Sequence, residues 1–221
     1  MQLLLNQLIN LLKWPVAILS IILFIPACQR LWKVLEYIYE HPADYLMLLY
    51  GIGIYVVLWT LWLKRSVMNQ WFGTLEHELT HAIFAILSLN RVTGLNATGD
   101  AGGVMHYQGY GNWIITLSPY FVPSLSLLML LVLSLAKTTH LPFLMLLMGI
   151  TIAYHFLSTW QETHFQQPDL KESGWLFVWL FLPTANILML LILLTALPND
   201  GLSTARSLDY LWQDVLNLLN T

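Results

Sequence analysis

Residues 175–197 contain no charged side chain and read almost continuously as Leu, Ile, Val, Phe and Trp. A run of about 20 apolar residues is what a helix needs to cross the hydrocarbon core of a bilayer. Five further runs have this character, at 14–28, 45–63, 71–89, 113–136 and 141–158. Backbone amides in lipid must find partners inside their own segment, so each run is expected to be helical. Composition agrees: of 221 residues, 57% are hydrophobic and 10% charged, whereas soluble domains carry about 25% charged residues. The expected fold is an all-α integral membrane protein of about six transmembrane helices. With no internal repeat and no linker, residues 1–221 are expected to form a single transmembrane domain.

The connections differ in kind. Residues 29–44 mix Arg30, Lys33, Glu36 and Glu40 with Leu31, Trp32, Leu35 and Tyr39, a pattern expected of a helix lying at the interface. Residues 91–111 are glycine-rich, with short strand-like pieces around Val92 and Val104, and predict a small β-hairpin. Residues 159–174 are densely polar. The stretch 203–220 places Leu208, Leu211, Trp212, Val215, Leu218 and Leu219 at helical spacing and predicts an amphipathic helix. The apolar run ending Ile25-Pro26-Ala27-Cys28 has a faint likeness to a lipoprotein cleavage box, but Pro26 sits awkwardly there and a retained first span is expected.

Charge excludes some functions. A net charge of -3 offers no basic field for nucleic acid. A single cysteine, Cys28, excludes a disulfide framework and a cysteine-rich metal site. Six crossings would put Lys13, Lys64, Arg65, Lys137 and Arg206 on one side and Arg30, Lys33, Arg91 and Lys171 on the other. That balance is too even to orient the chain.

Within the third run stands His77-Glu78-Leu79-Thr80-His81. Residues four apart share one helical face, so both imidazoles can reach one Zn²⁺, with Glu78 placed beside its open position as general base. The competing reading is a structural polar cluster, but ionisable groups in a span are costly and are usually functional. A catalytic zinc site needs a third protein ligand. His106, His155, Glu162, His164 and Asp169 are the candidates by chemistry; His106 and His164 compete well, while His155 has a plainer reading as a core histidine, Glu162 as a solvated face and Asp169 as a turn or helix cap.

Together, the HELTH helix, the glycine-rich hairpin, Asn112-Trp113-Ile114-Ile115-Thr116-Leu117-Ser118-Pro119-Tyr120-Phe121-Val122-Pro123 and Gln166-Gln167-Pro168-Asp169-Leu170-Lys171-Glu172-Ser173-Gly174 resemble the site-2 protease class of intramembrane zinc metalloproteases, in its short branch without a PDZ domain. The likeness covers about half the chain. It implies one zinc ion held by His77, His81 and Asp169, although Leu170 and Gln167 stand where the class favours Gly and Asn. It also implies that the hairpin, through Gly102, Gly103 and Val104, presents a strand edge to an unwound substrate. Cleavage of a transmembrane helix requires such a partner for its freed amides. The plainer reading of that segment is a mobile surface loop.

The function expected is therefore an intramembrane zinc metalloendopeptidase in a lipid bilayer. Its substrate would be a single-pass membrane protein or a signal-peptide remnant. The expected location is multi-pass in a bacterial inner membrane, with the hairpin side toward the cytosol. The alternatives are a metal-ion transporter and a non-catalytic membrane binding protein of the same fold. A transporter would need a second metal-binding span, and the other runs hold only His155. Loss of the general base would favour the binding protein, and Glu78 is intact.

Overall fold

The computed structural model describes residues 1–98, 102–198 and 201–219. Helix α1 (Gln2–Leu11) leads almost directly into α2 (Lys13–Glu40). Pro15 accounts for the break, because it lacks an N–H and its ring crowds the carbonyl four residues back, at Leu11. Helix α2 then runs without interruption, Pro26 included. Its 28 residues reach about 42 Å at 1.5 Å each, well beyond the hydrocarbon thickness. The separate interfacial helix expected over 29–44 is therefore corrected: no break separates it from the first span until His41.

Helix α3 (Pro42–Leu61) opens on proline, whose missing N–H costs nothing at a helix start. Helix α4 (Val67–Leu87) carries the HELTH motif. Strands β1 (Arg91–Thr98) and β2 (Gly102–Gln108) form the expected antiparallel hairpin, with Asn96 opposite Val104 and an irregularity between Val92 and Gly94. Next come α5 (Trp113–Leu117) and α6 (Ser124–Leu135), followed by α7 (Leu141–Glu162), α8 (Pro168–Ser173) and α9 (Trp175–Thr195). Helix α10 (Thr204–Leu219) realises the expected C-terminal helix, and Asn220 lies outside the described residues.

The protein is an all-α integral membrane protein with one small hairpin. Among the described residues, four helices are long and apolar enough to cross a membrane: Lys13–Glu40, Pro42–Leu61, Thr138–Glu162 and Trp175–Thr195. A fifth span results if α5 and α6 count as one, bent by 74°. Pro119 and Pro123 supply that bend, since neither can donate an amide to the helix.

Contacts fix the direction of each span. Helices α2 and α9 run parallel, with Trp14 packed on Phe177 and Thr184 donating to the Ser20 carbonyl at 2.9 Å. Helices α3 and α7 also run parallel, with Gly51 against Leu146, Gly149 against Leu48, and Tyr55 against Tyr154. One face of the bundle thus collects the start of α2, the ends of α3 and α7, and the start of α9.

Helix α4 begins and ends on that same face. It starts just after α3 ends, and its far end at Ser88 and Asn90 is bonded to Asn6 of α1 and Asn112 before α5. The run 71–89, expected as the third of the crossings, is helix α4, which is not among the helices long and apolar enough to cross a membrane. Glu76, His77 and His81 give the physical reason: they are served by Ser124, Glu162 and the Ile115 carbonyl, not by lipid.

Candidate metal centre

Helix α4 holds His77 and His81 four residues apart on its buried side, with ring centroids 4.8 Å apart. Asp169 arrives from the first turn of α8, which Pro168 initiates at N1. His77 Nε2 lies 3.4 Å from Asp169 Oδ2, and His81 Nε2 lies 3.3 Å from the same oxygen. Donors held at 2.0–2.1 Å around a tetrahedral ion stand about 3.3 Å from one another, so these spacings suit one zinc. Among the described residues, this is the one group of three or more His, Cys, Asp or Glu side chains that converges so.

The other ring nitrogens decide what these atoms can accept. His81 Nδ1 is 2.7 Å from the Ile115 carbonyl oxygen, which can only accept, so Nδ1 carries the proton. His77 Nδ1 is 2.7 Å from Glu162 Oε2, which fixes the same tautomer. In its neutral form each imidazole therefore turns an Nε2 lone pair toward the shared carboxylate oxygen. Three acceptors facing one another repel unless a cation lies among them. The donor set of two imidazoles and a carboxylate, with one position left open, is that of a catalytic zinc site. Tyr120 adds a hydroxyl donor to Asp169 Oδ2 at 3.2 Å.

Beside this cluster opens a cleft of about 540 Å³, which Glu78 also lines. Its walls include Gly102, Gly103, Val104 and Met105 of β2, with Ile115 and Thr116 of α5. Strand β2 reaches Glu78 because of Gly103. A Cβ there would lie 2.5 Å from Glu78 Cγ and 2.7 Å from both Glu78 Oε1 and Thr74 Cγ2. Gly102 contributes differently: its φ of +79° is a conformation that other residues resist.

The structure separates the remaining candidates. His106 is exposed on β2 opposite Gly94. His155 is buried within α7 against Phe156 and does not line the cleft. His164 borders a neighbouring cavity of about 370 Å³ with Tyr154, Ser158 and Gln161. Glu162 reaches the cluster, but as the partner of His77 Nδ1. That role and the Tyr120 contact escaped sequence reasoning. The one available signal was a polar group at the end of an apolar run.

Comparison with known proteins adds a family. A model described as Peptidase M50B-like matches residues 47–165, more than half of the chain, taking in α4, the hairpin and Glu162. No curated protein and no solved structure matches.

Proposed function

The chain belongs to the Peptidase M50B-like family, and on that premise we propose that it is an intramembrane zinc metalloendopeptidase. At the coarser level it is a multi-pass integral membrane protein of a peptidase family. The finer reading is supported above all by one observation. Two imidazoles with their protons committed elsewhere, and one carboxylate, aim acceptor atoms at a common point beside Glu78. A zinc ion held there by His77, His81 and Asp169 would polarise a scissile carbonyl and acidify a water.

The chain's own groups do the rest. Glu78 lines the cleft next to both histidines, where its carboxylate takes a proton from the attacking water and returns it to the departing amine. Glu162 and the Ile115 carbonyl hold the imidazoles at one tautomer and orientation. Strand β2 lines the cleft with backbone unencumbered at Gly102 and Gly103, so an extended substrate could add to its edge. The substrate class is a single-pass membrane protein or signal-peptide remnant, in a bacterial inner membrane with the hairpin face cytosolic. A transporter gains no support, because no second metal-ligating group converges among the described residues.

The test is elemental analysis of purified parent, His81→Ala and Asp169→Ala, with cleavage assays on parent and Glu78→Gln. About one zinc per parent chain is expected, as for a three-ligand site, with loss in both ligand variants. Glu78→Gln should retain zinc and lose cleavage. A folded parent without zinc, or a Glu78→Gln enzyme cutting at the parental rate, would overturn the proposal.

A further inference from the structure

Helix α1 reads Gln-Leu-Leu-Leu-Asn-Gln-Leu-Ile-Asn-Leu, placing Gln2, Asn6 and Asn10 four residues apart on one face. Leu4, Leu8 and Leu11 are exposed on the rest of its surface. The usual arrangement for a helix at a protein surface is inverted at its centre, where Asn6 is buried and Gln2 and Asn10 flank it nearer the surface, while the leucines are left outward.

Each member of the stripe grips a stem of the hairpin. Asn6 is fully buried, donates to the Ser88 carbonyl at 3.0 Å, and accepts from Asn112 at 2.6 Å and from Asn90 at 3.4 Å. Gln2 reaches the Asn90 side chain and donates to the Gln108 carbonyl at 3.4 Å. Asn10 donates to the Gly111 carbonyl at 3.0 Å and accepts from the Trp113 amide at 3.2 Å. The stripe thus joins the residues before β1 to those after β2. Asn112 also caps α5 by accepting from the Ile114 and Ile115 amides, and Ile115 is the residue whose carbonyl holds His81.

A buried amide is costly unless it is bonded, so Asn6, Asn90 and Asn112 are an expensive way to fill space. What they accomplish is placement. A two-stranded hairpin is marginal by itself and needs an external support to hold one position. Gly103 has no slack above Glu78.

We propose that α1 is a membrane-seated clasp, and that Gln2, Asn6 and Asn10 are positioning residues that set β2 at its place over the cleft. This rests on reading β2 as the strand that receives substrate. The stripe would then govern how tightly an extended segment is held, without touching metal or reacting atoms.

The experiment compares parent with Gln2→Ala/Asn10→Ala, which removes the rim bonds, and with Asn6→Ala, which removes the centre. Hydrogen exchange of residues 102–108, zinc content and cleavage of a quenched-fluorescence single-span peptide carrying a central Gly-Pro pair are measured together. In the double variant, hairpin amides should exchange about tenfold faster, the scale of losing ordinary hydrogen bonds. KM should rise by a comparable factor while kcat and zinc stay at parental values. Unchanged exchange would overturn the clasp, as would a fall in kcat with KM constant. If Asn6→Ala fails to fold, the double variant alone decides. A zinc-bearing parent that cleaves nothing would sink the protease reading instead, and the exchange result would still decide whether α1 holds the hairpin.

Discussion

At the scale of single residues, His77 and His81 each turn Nδ1 to a partner outside the cluster, Glu162 and the Ile115 carbonyl. Asp169 stood among five candidates by chemistry and was singled out by resemblance, since a loop aspartate after proline has an ordinary reading as a helix cap. Glu162 was weighed as a ligand, whereas it lies 2.7 Å from His77 Nδ1. Spacing could not reveal this, because the two residues are 85 positions apart. Outer partners of this kind hold a ligand's tautomer, and losing one typically weakens metal binding about 10–100-fold. Glu162→Ala should therefore bind zinc more weakly by that factor in chelator competition, with the fold intact by circular dichroism. Zinc affinity equal to the parent would show that the contact does not orient His77. Gly103 makes a second prediction. A methyl there meets Glu78 and Thr74 side chains at 2.5–2.7 Å, so Gly103→Ala should displace Glu78, the proposed general base, and lower kcat. About tenfold is expected for a small misplacement of a catalytic group. Zinc content should be unchanged. Gly102→Ala, with open space around its Cβ position, should show no such collision and cost only backbone strain at its positive φ, about 1–2 kcal/mol of stability.

At the scale of elements, the sequence predicted the helices and the hairpin well, because lipid leaves the backbone few alternatives. It failed where hydrophobic length was ambiguous. Residues 29–40 looked interfacial by their charges, yet they extend α2, where Arg30 pairs with Asp214 of α10 at 3.1 Å. That tertiary partner is invisible to a local pattern. Glycines in spans were equally mute: Gly51 and Gly149 look interchangeable with Gly53. In the structure, a Cβ on Gly51 would strike the Leu146 carbonyl and one on Gly149 the Leu48 carbonyl, whereas Gly53 faces open space. Helices in membranes associate through such close approaches. Gly149→Ala should force α3 and α7 apart at backbone atoms that cannot rotate away, at about 1–3 kcal/mol for overpacking. Thermal melting in detergent should show a clear fall for Gly149→Ala and almost none for Gly53→Ala. Equal melting of the two variants would mean that the α3–α7 contact is looser than described.

At the scale of the whole molecule, the difference between six crossings and five decides which parts can meet. With six, the segment before α2 and the hairpin would lie on opposite sides of the membrane. With both ends of α4 on one face, α1, the hairpin and α8 share that face, in keeping with the Asn6 bonds to the hairpin stem. Apolar run length alone marks 71–89 as a span, whereas its four ionisable groups leave α4 outside the helices apolar enough to cross. Regrouping the basic residues by face leaves Lys13, Lys64, Arg65, Arg91 and Lys171 against Arg30, Lys33, Lys137 and Arg206, a balance again too even to orient the chain. Single-cysteine reporters in a Cys28→Ala background distinguish the two topologies directly. Lys64 and Lys171 lie on opposite sides in the six-span arrangement and on the same side in the five-span one. Lys64 and Lys137 show the reverse relation. Labelling of sealed vesicles with an impermeant maleimide should therefore modify Lys64→Cys and Lys171→Cys alike and treat Lys137→Cys as their opposite. If Lys64→Cys instead followed Lys137→Cys, α4 would cross the membrane. The N-terminal helix would then stand on the wrong side to hold the hairpin, so this topology is also a condition on the clasp.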